Sequence, residues 1–231
     1  MRKKDFVFTG IVVLFLLPFF VCPEVYEAYS NFNASNGMIM SFIKFAVLAT
    51  LGEVIGLRIK TGNYYRKGFG IVPRAIVWGL LGLGINAAFI IFSSGTPVFL
   101  AYLGFDVSAE TIKTTAFSGT KLFTAFSISL FLNLIFAPVF MTVHRITDVH
   151  IETTGGTLKG FFSPIPFGKH FKELNWEVQW NFVFKKTIPL FWIPAHTITF
   201  MLPQNYRVLF AAALGIVLGV FLAAASILGK K

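Results

Sequence analysis

Long apolar runs recur along the whole chain, and they limit what it can fold into more than any other feature. They lie at about residues 6–22, 37–57, 72–92, 122–143, 187–202 and 206–228. A helix needs about 20 apolar residues to cross the hydrocarbon core of a bilayer. Charged residues make up 13% of the chain, whereas a soluble domain carries about 25%. We therefore predict an all-α, polytopic transmembrane bundle of about six spans whose surroundings are the lipid bilayer.

The first run follows a basic segment, residues 2–4, and resembles a signal peptide. No Ala-x-Ala-like cleavage site follows it, so we predict an uncleaved signal-anchor helix. Residues 1–36 would then form an N-terminal span and loop, and residues 37–231 the helix bundle. Cys22 is the lone cysteine, which excludes an internal disulfide and a multi-thiolate metal site. We interpret it as a free thiol.

The formal net charge of +10 does not indicate nucleic-acid binding, because the basic residues lie in short clusters between apolar runs. With six spans, most of them fall on one side, in both termini and in the segments 58–74 and 144–186. The other side holds Lys113, Lys121 and Arg207. The positive-inside rule therefore predicts that both termini are cytoplasmic.

Two segments between the spans suggest helices at the membrane surface. Residues 97–105 are apolar but too short to cross a bilayer, so we expect them at the interface or folded back on the bundle. Residues 171–184 mix tryptophan and phenylalanine with Lys, Glu and Asn. That mixture predicts an interfacial amphipathic helix with its tryptophans at the level of the lipid headgroups.

Small side chains recur every four residues in the last run, which is typical of close helix packing in membranes. The packing can lie within one chain or between two copies in a homo-oligomer. The stripe consists of Ala211, Gly215, Gly219 and Ala223.

Polar side chains inside the apolar runs are the candidate functional residues, because such groups are costly in lipid. We predict that a polar seam or pore is lined by Glu53, Asn86, Asn133, His196 and Thr199. Two alternatives remain open: His196 can be a neutral histidine bonded between helices, and Glu53 can pair with Arg58 or Arg74. Arg207 is interpreted as an interfacial anchor, or else as a charged gate.

The polar segment after the fourth run contains two histidines and two carboxylates, namely His144, Asp148, His150 and Glu152. We interpret them as solvated loop residues rather than as a metal site. The chain also shows no nucleophile–histidine–acid order, phosphate-binding loop or helical pair of metal ligands. We therefore predict no metal, no cofactor and no enzymatic activity.

Four stretches in succession carry a resemblance to a known family. They are residues 44–59 (KFAVLATLGEVIGLRI), 74–89 (RAIVWGLLGLGINAAF), 131–140 (FLNLIFAPVF) and 192–207. The last contains Trp192, Pro194, Phe200, Pro203, Tyr206 and Arg207. Together they resemble the small peroxisomal and mitochondrial inner-membrane protein family, which includes the yeast stress-inducible and the mammalian mitochondrial-DNA-maintenance members.

The resemblance covers Lys44 to Ser226 and departs from the family pattern at several points. Leu132 and Asn133 stand where the family has Asp-Gln, and His196 stands near its Gln. The spacing from Trp to Pro differs, the late Trp of the final helix is missing, and residues 6–22 have no counterpart. The resemblance implies a divergent, bacterial relative in the inner membrane, and a channel-like function in a family usually drawn with four spans.

Two functions from different classes fit the sequence. One is channel-like passage of a small solute through a polar seam between helices. The other is a non-conducting membrane scaffold, or membrane-homeostasis protein, in which the same polar residues hold the helices together. A membrane enzyme is a more distant alternative, because it would require a clustered polar site.

Overall fold

The computed structural model describes residues 3–114 and 116–228, with side chains described as far as residue 220. Within these residues the backbone forms helices and turns, and no strand. The all-α prediction is therefore confirmed for the part of the chain described. Four helical stretches are long and apolar enough to cross a membrane. They are Lys3–Val21, Gly37–Thr61, Ile71–Tyr102 and Gly119–Thr153.

The chain divides into two compact units, Met1–Met40 and Ser41–Lys231. The first unit contains three helices: α1 (Lys3–Leu16), α2 (Pro18–Val21) and α3 (Pro23–Ser35). Proline occupies the first turn of α2 and of α3, where its missing N–H costs no hydrogen bond. The predicted boundary after residue 36 lies at the start of α4, four residues before the second unit begins at Ser41.

Two long helices, α4 (Gly37–Thr61) and α5 (Ile71–Tyr102), pack closely because α5 presents small residues to α4. A Cβ added at Gly82 would lie 2.7 Å from the Cβ of Phe45. The Ser41 hydroxyl donates a hydrogen bond of 2.7 Å to the Gly82 carbonyl. In α5 the helix continues through Pro97, so residues 97–102 extend the span. Residues 97–102 therefore do not fold back on the bundle, and the interfacial position of residues 97–105 stays a prediction.

The next helical stretch changes its winding beside a proline. It consists of α6 (Gly119–Phe131), the π-helix π1 (Leu132–Phe136) and α7 (Ala137–Thr153). Pro138 lacks an N–H and would disrupt a regular α-helix. In the structure the N–H of Ala137 bonds the Leu132 carbonyl, which is the i→i+5 spacing of a π-helix. The proline is thus accommodated without ending the helix.

Short helices α8 (Leu158–Phe161) and α9 (Phe167–Glu173) lead into α10 (Trp176–Val178). From there the chain stays helical through π2 (Gln179–Trp192) and α11 (Ile193–Met201). The prediction of one continuous helix over residues 171–184 is wrong, because Leu174 and Asn175 interrupt it between α9 and α10. The Asn175 side chain caps the new helix by accepting from the Val178 N–H.

The final helix, α12 (Gln204–Leu228), follows Pro203. The part of α12 whose side chains are described, Gln204–Val220, is apolar but shorter than a full span. Four of the six predicted spans thus have helices of sufficient length and hydropathy, and the last two stay predictions. The core of the second unit lies where α11 packs on α6, around Ile128 and Phe200, which are fully buried.

Helix α12 crosses α4 at glycines on both helices. A Cβ added at Gly52 would lie 2.8 Å from the Ile216 Cα, and one added at Gly219 would lie 2.9 Å from the Gly52 carbonyl oxygen. Gly215 stands against Ala49 in the same crossing. Ala211 is buried, and Ala223 lies outside the described side chains. The small-residue stripe therefore packs within one chain as far as residue 219.

We expect Gly52→Ala to destabilise the protein by about 1–3 kcal/mol, because the methyl group must push α12 away. The control is Gly95→Ala, at an exposed glycine of α5 with no atom near the added Cβ. That change should be neutral or gain up to about 1 kcal/mol from helix propensity. Unfolding of the purified variants in detergent measures both, and equal stabilities would contradict the close crossing.

Candidate functional site

Arg74 in the first turn of α5 holds the carboxylates of two other helices. Its Nη1 donates to Glu53 Oε2 of α4 at 2.7 Å and to Asp148 Oδ1 of α7 at 2.5 Å. Its Nε donates to the Phe69 carbonyl at 2.8 Å, and its guanidinium stands over the Phe69 ring, 4.6 Å from the centroid. Arg74 is only 4% exposed. One buried cation therefore ties α4, α5 and α7 together.

Two aromatic side chains complete the environment of Glu53. Trp78 lies one turn after Arg74 on α5, and its Nε1 donates to Glu53 Oε1 at 2.7 Å. The Trp78 ring also lies 4.3 Å from the His144 ring, measured between centroids. His144 Nε2 is 3.4 Å from Glu53 Oε1 and 3.7 Å from Asp148 Oδ1. The Nε2 atom of His144 is shielded from solvent, but none of its neighbours is aligned for a hydrogen bond.

The cluster extends outward to a more exposed carboxylate, Glu152. Its Oε1 accepts from Arg74 Nη2 at 3.1 Å and from Arg66 Nη2 at 3.2 Å. Arg145 Nη1 lies 3.8 Å from Asp148 Oδ2, also at the periphery. The interpretation of residues 144–152 as a solvated loop is wrong: they lie in α7, and Asp148 is buried. Asp148 and Glu152 form ion pairs with Arg74 of α5, which explains why this polar sequence continues α7.

A second polar group lies farther along the same helical stretch, around Asn133 in π1. Its amide nitrogen donates to the Ser129 carbonyl at 2.8 Å and lies 3.1 Å from His196 Nδ1. Asn133 is 1% exposed. The His196 ring packs against Trp192, with centroids 5.2 Å apart, and edge-on against Phe89. The Asn133 and His196 side chains, from two helices, are thus brought together.

One cavity of about 350 Å³ connects the two polar groups. Glu53, His144 and Asp148 line one part of it, and Asn133 and His196 line another. Between them, the lining is largely aromatic, with Phe45, Trp78, Phe89, Phe136, Phe140 and Trp192. At a helical rise of 1.5 Å per residue, the positions of Asn133 and His144 are about 16 Å apart along the helix axis. The cavity is therefore bordered by two separate polar groups and is otherwise lined mostly by aromatic rings.

Two other residues singled out from the sequence lie away from this cavity. Asn86 is buried in α5 outside the cavity lining. The Thr199 hydroxyl donates to the Ala195 carbonyl of its own helix at 2.9 Å, also outside the lining. The structure therefore places Glu53, Asn133 and His196, but not Asn86 or Thr199, around one space.

Arg207 is buried rather than placed as an interfacial anchor. Its guanidinium donates to carbonyls of Leu202 at 3.0 Å, of Ile112 at 2.9 Å and of Phe200 at 3.2 Å. These contacts cap the carboxyl end of α11 and fix the loop that precedes α6. The arginine thus satisfies backbone acceptors at the junction of α11 and α12.

Sequence reasoning missed Trp78, His144 and Asp148 as parts of the site. The spacing of His144 and Asp148 is a usable signal, because residues i and i+4 share a helix face. Reading that segment as a loop concealed it. Nothing in the sequence alone indicates that the Trp78 indole reaches Glu53 on another helix.

No family model, curated protein or solved structure matches the chain. The function must therefore be inferred from the residues around the cavity.

We expect Arg74→Ala to cost about 3–5 kcal/mol of stability, because it leaves Glu53 and Asp148 unpaired away from water. The control is Arg66→Ala, which removes a guanidinium that is half exposed and contacts Glu152 alone. Exposed pairs contribute about 0–1 kcal/mol. Unfolding in detergent compares the two variants, and an equal loss would contradict the central position of Arg74.

Proposed function

We propose that this chain is an integral membrane protein that provides a channel-like pathway for small solutes. In this proposal it has six spans with both termini in the cytoplasm of a bacterial cell. It is a divergent relative of the peroxisomal and mitochondrial inner-membrane family, and it is not an enzyme. The apolar helices support insertion in a bilayer. The orientation of the termini rests on the charges of the loops, and the channel-like function and bacterial origin rest on the family resemblance.

One observation carries the proposal: polar side chains from α4, π1, α7 and α11 border the same cavity. Intramembrane polar groups that face a cavity rather than lipid typically mark a pathway or a binding site. Each group also comes from a helix interior, where side-chain positions are held by packing. The solute in this proposal is small, because the cavity is about 350 Å³.

The helix carrying His196 has the irregular winding expected beside a pathway. Pro189 lies inside π2, and Pro194 lies in the first turn of α11. A proline lacks the N–H that a helix needs, so each interrupts the regular hydrogen bonding of this helix. The Ser129 and Thr197 hydroxyls both donate to the Ile193 carbonyl at 2.7 Å. The Ser129 bond ties α6 to the start of α11 beside the cavity.

The second candidate function is a non-conducting membrane scaffold. The Arg74 network favours it, because its contacts join three helices and serve stability without any solute. The glycine crossing of α4 and α12 favours it as well. The two functions differ in whether the space between the polar groups carries a solute.

Recording from planar bilayers that contain the purified protein separates the two functions. We expect conductance above that of an empty bilayer, and we expect His196→Ala to increase it. The smaller side chain would widen the space between Phe89 and Trp192. The matched control is Ser94→Ala, an exposed residue of α5 whose hydroxyl bonds only carbonyls of its own helix.

Conductance equal to that of an empty bilayer would contradict the pathway and leave the scaffold as the function. Conductance that His196→Ala and Ser94→Ala change to the same extent would contradict the route past His196. The melting temperature of each variant shows whether it is folded.

A further inference from the structure

We infer that Glu53, His144 and Asp148 form a binding site for one divalent transition-metal ion of the zinc type. Metal binding at this site does not require that the protein conducts a solute, although the three residues line the same cavity. The sequence analysis predicts no metal, because it treats residues 144–152 as a loop. The structure instead places the three ligand types on two packed helices, with ligand atoms all within 4.8 Å of one another.

The spacing of these atoms suits tetrahedral zinc. Ligand atoms at about 2.0–2.2 Å from zinc, and at tetrahedral angles, lie about 3.3–3.6 Å from each other. His144 Nε2 lies 3.4 Å from Glu53 Oε1 and 3.7 Å from Asp148 Oδ1. His144 and Asp148 are spaced i, i+4 on α7, the spacing that puts two ligands on one helix face. Small side-chain adjustments would bring the three atoms to bonding distance.

The surroundings of the His144 Nε2 atom agree with this spacing. The atom is shielded from solvent, although the side chain is 21% exposed, and it lies beside the Glu53 and Asp148 carboxylates without an aligned hydrogen bond. A metal bond from this nitrogen would satisfy it, and the nitrogen already lies between the two carboxylates.

The charges of the cluster also favour a dication. Three carboxylates, those of Glu53, Asp148 and Glu152, face the single buried guanidinium of Arg74. The two other arginines nearby, Arg66 and Arg145, have side chains more than half exposed, and solvent screens their charges. Glu152 is itself 39% exposed and also pairs with Arg66, so the buried imbalance is that of the Glu53 and Asp148 carboxylates against one guanidinium. This imbalance of one negative charge favours an added cation.

Arg74 and Trp78 occupy the places of outer-shell groups rather than blocking the ion. Arg74 bonds Glu53 through Oε2 and leaves Oε1 toward His144, whereas at Asp148 it bonds Oδ1, the same oxygen that lies 3.7 Å from His144 Nε2. Trp78 donates to Oε1, but a carboxylate oxygen has a second lone pair for a metal. Such hydrogen bonds orient metal-binding carboxylates in many sites. The arginine and the metal would thus share the two carboxylates.

The ligand set selects the metal and leaves one position open. Magnesium and calcium prefer oxygen sets of six or more ligands, whereas an imidazole with two carboxylates suits zinc. Three protein ligands and a free fourth position are typical of zinc sites that bind water or a solute. All three residues line the cavity. A solute with a lone pair could therefore reach the ion from there.

Zinc retention by the purified, tag-free protein tests this site. The protein is stripped with a chelator, incubated with Zn²⁺, desalted and analysed for metal. We expect one zinc per chain, and we expect Glu53→Gln and His144→Ala each to weaken zinc binding. The loss should exceed the about 10–100-fold effect of removing an outer-shell partner. His196→Ala is the control, because it changes the same cavity outside the cluster.

Wild-type protein that retains no zinc would overturn the site, as would retention unchanged in Glu53→Gln and His144→Ala. If those variants do not fold, Co²⁺ binding to the wild type decides the question. A visible absorption band of tetrahedral Co²⁺ is expected, with fluorescence quenching that falls in Trp78→Phe, because that ring touches His144. An octahedral spectrum, or quenching equal in wild type and Trp78→Phe, would reject the assignment.

Discussion

The guanidinium of Arg74 is the contact on which the arrangement of the central helices depends. Burying a charge is costly unless it is paired and hydrogen-bonded. Arg74 meets this requirement by bonding Glu53, Asp148 and Glu152 and the Phe69 carbonyl. Because the partners come from α4 and α7, neither helix can shift along α5 without leaving a charge unpaired. The network therefore fixes the register of three helices at one end of the cavity.

Close contacts at glycines also hold α4 against α5 and α12. Between membrane helices, hydrophobic burial supplies little drive, because lipid tails are as apolar as the side chains. Packing of small residues and polar bonds must supply the association instead. The chain uses both: the Gly52 crossing holds α4 to α12, and Gly82 lets α5 approach Phe45. The cavity lies among these helices and is lined largely by aromatic rings.

The two polar groups around the cavity differ in character. The group near Arg74 is ionic, with carboxylates, a histidine and arginines. The group at Asn133 and His196 contains neither a carboxylate nor an arginine. Its members are an amide, a hydroxyl and an imidazole. Both groups line the same largely apolar cavity.

The sequence allowed the helical class, four of the long helices and the glycine stripe to be predicted from hydropathy and spacing. It also included the Glu53–Arg74 pair among its alternatives, and it put Asn133 and His196 in one seam. Thr199 and Asn86 were placed wrongly in that seam, since periodicity does not determine how far a helix rotates about its axis.

Other features depend on contacts that hydropathy does not contain. Residues 144–153 continue α7 because Asp148 and Glu152 find a cation on another helix. Residues 97–102 continue α5 although Pro97 lies among them. The π-helices beside Pro138 and Pro189 depend on a change of backbone winding that apolar periodicity does not reveal.

A double-mutant cycle on Arg74 and Asp148 tests most directly whether this buried pair holds the bundle together. The stabilities of wild type, Arg74→Met, Asp148→Asn and the double variant are measured by unfolding in one detergent. Contacting residues typically show interaction energies of about 0.5–3 kcal/mol. We predict a favourable coupling in the upper half of that range, because the two atoms are 2.5 Å apart and the guanidinium is buried. Additive losses would show that the two side chains act independently and would contradict this account.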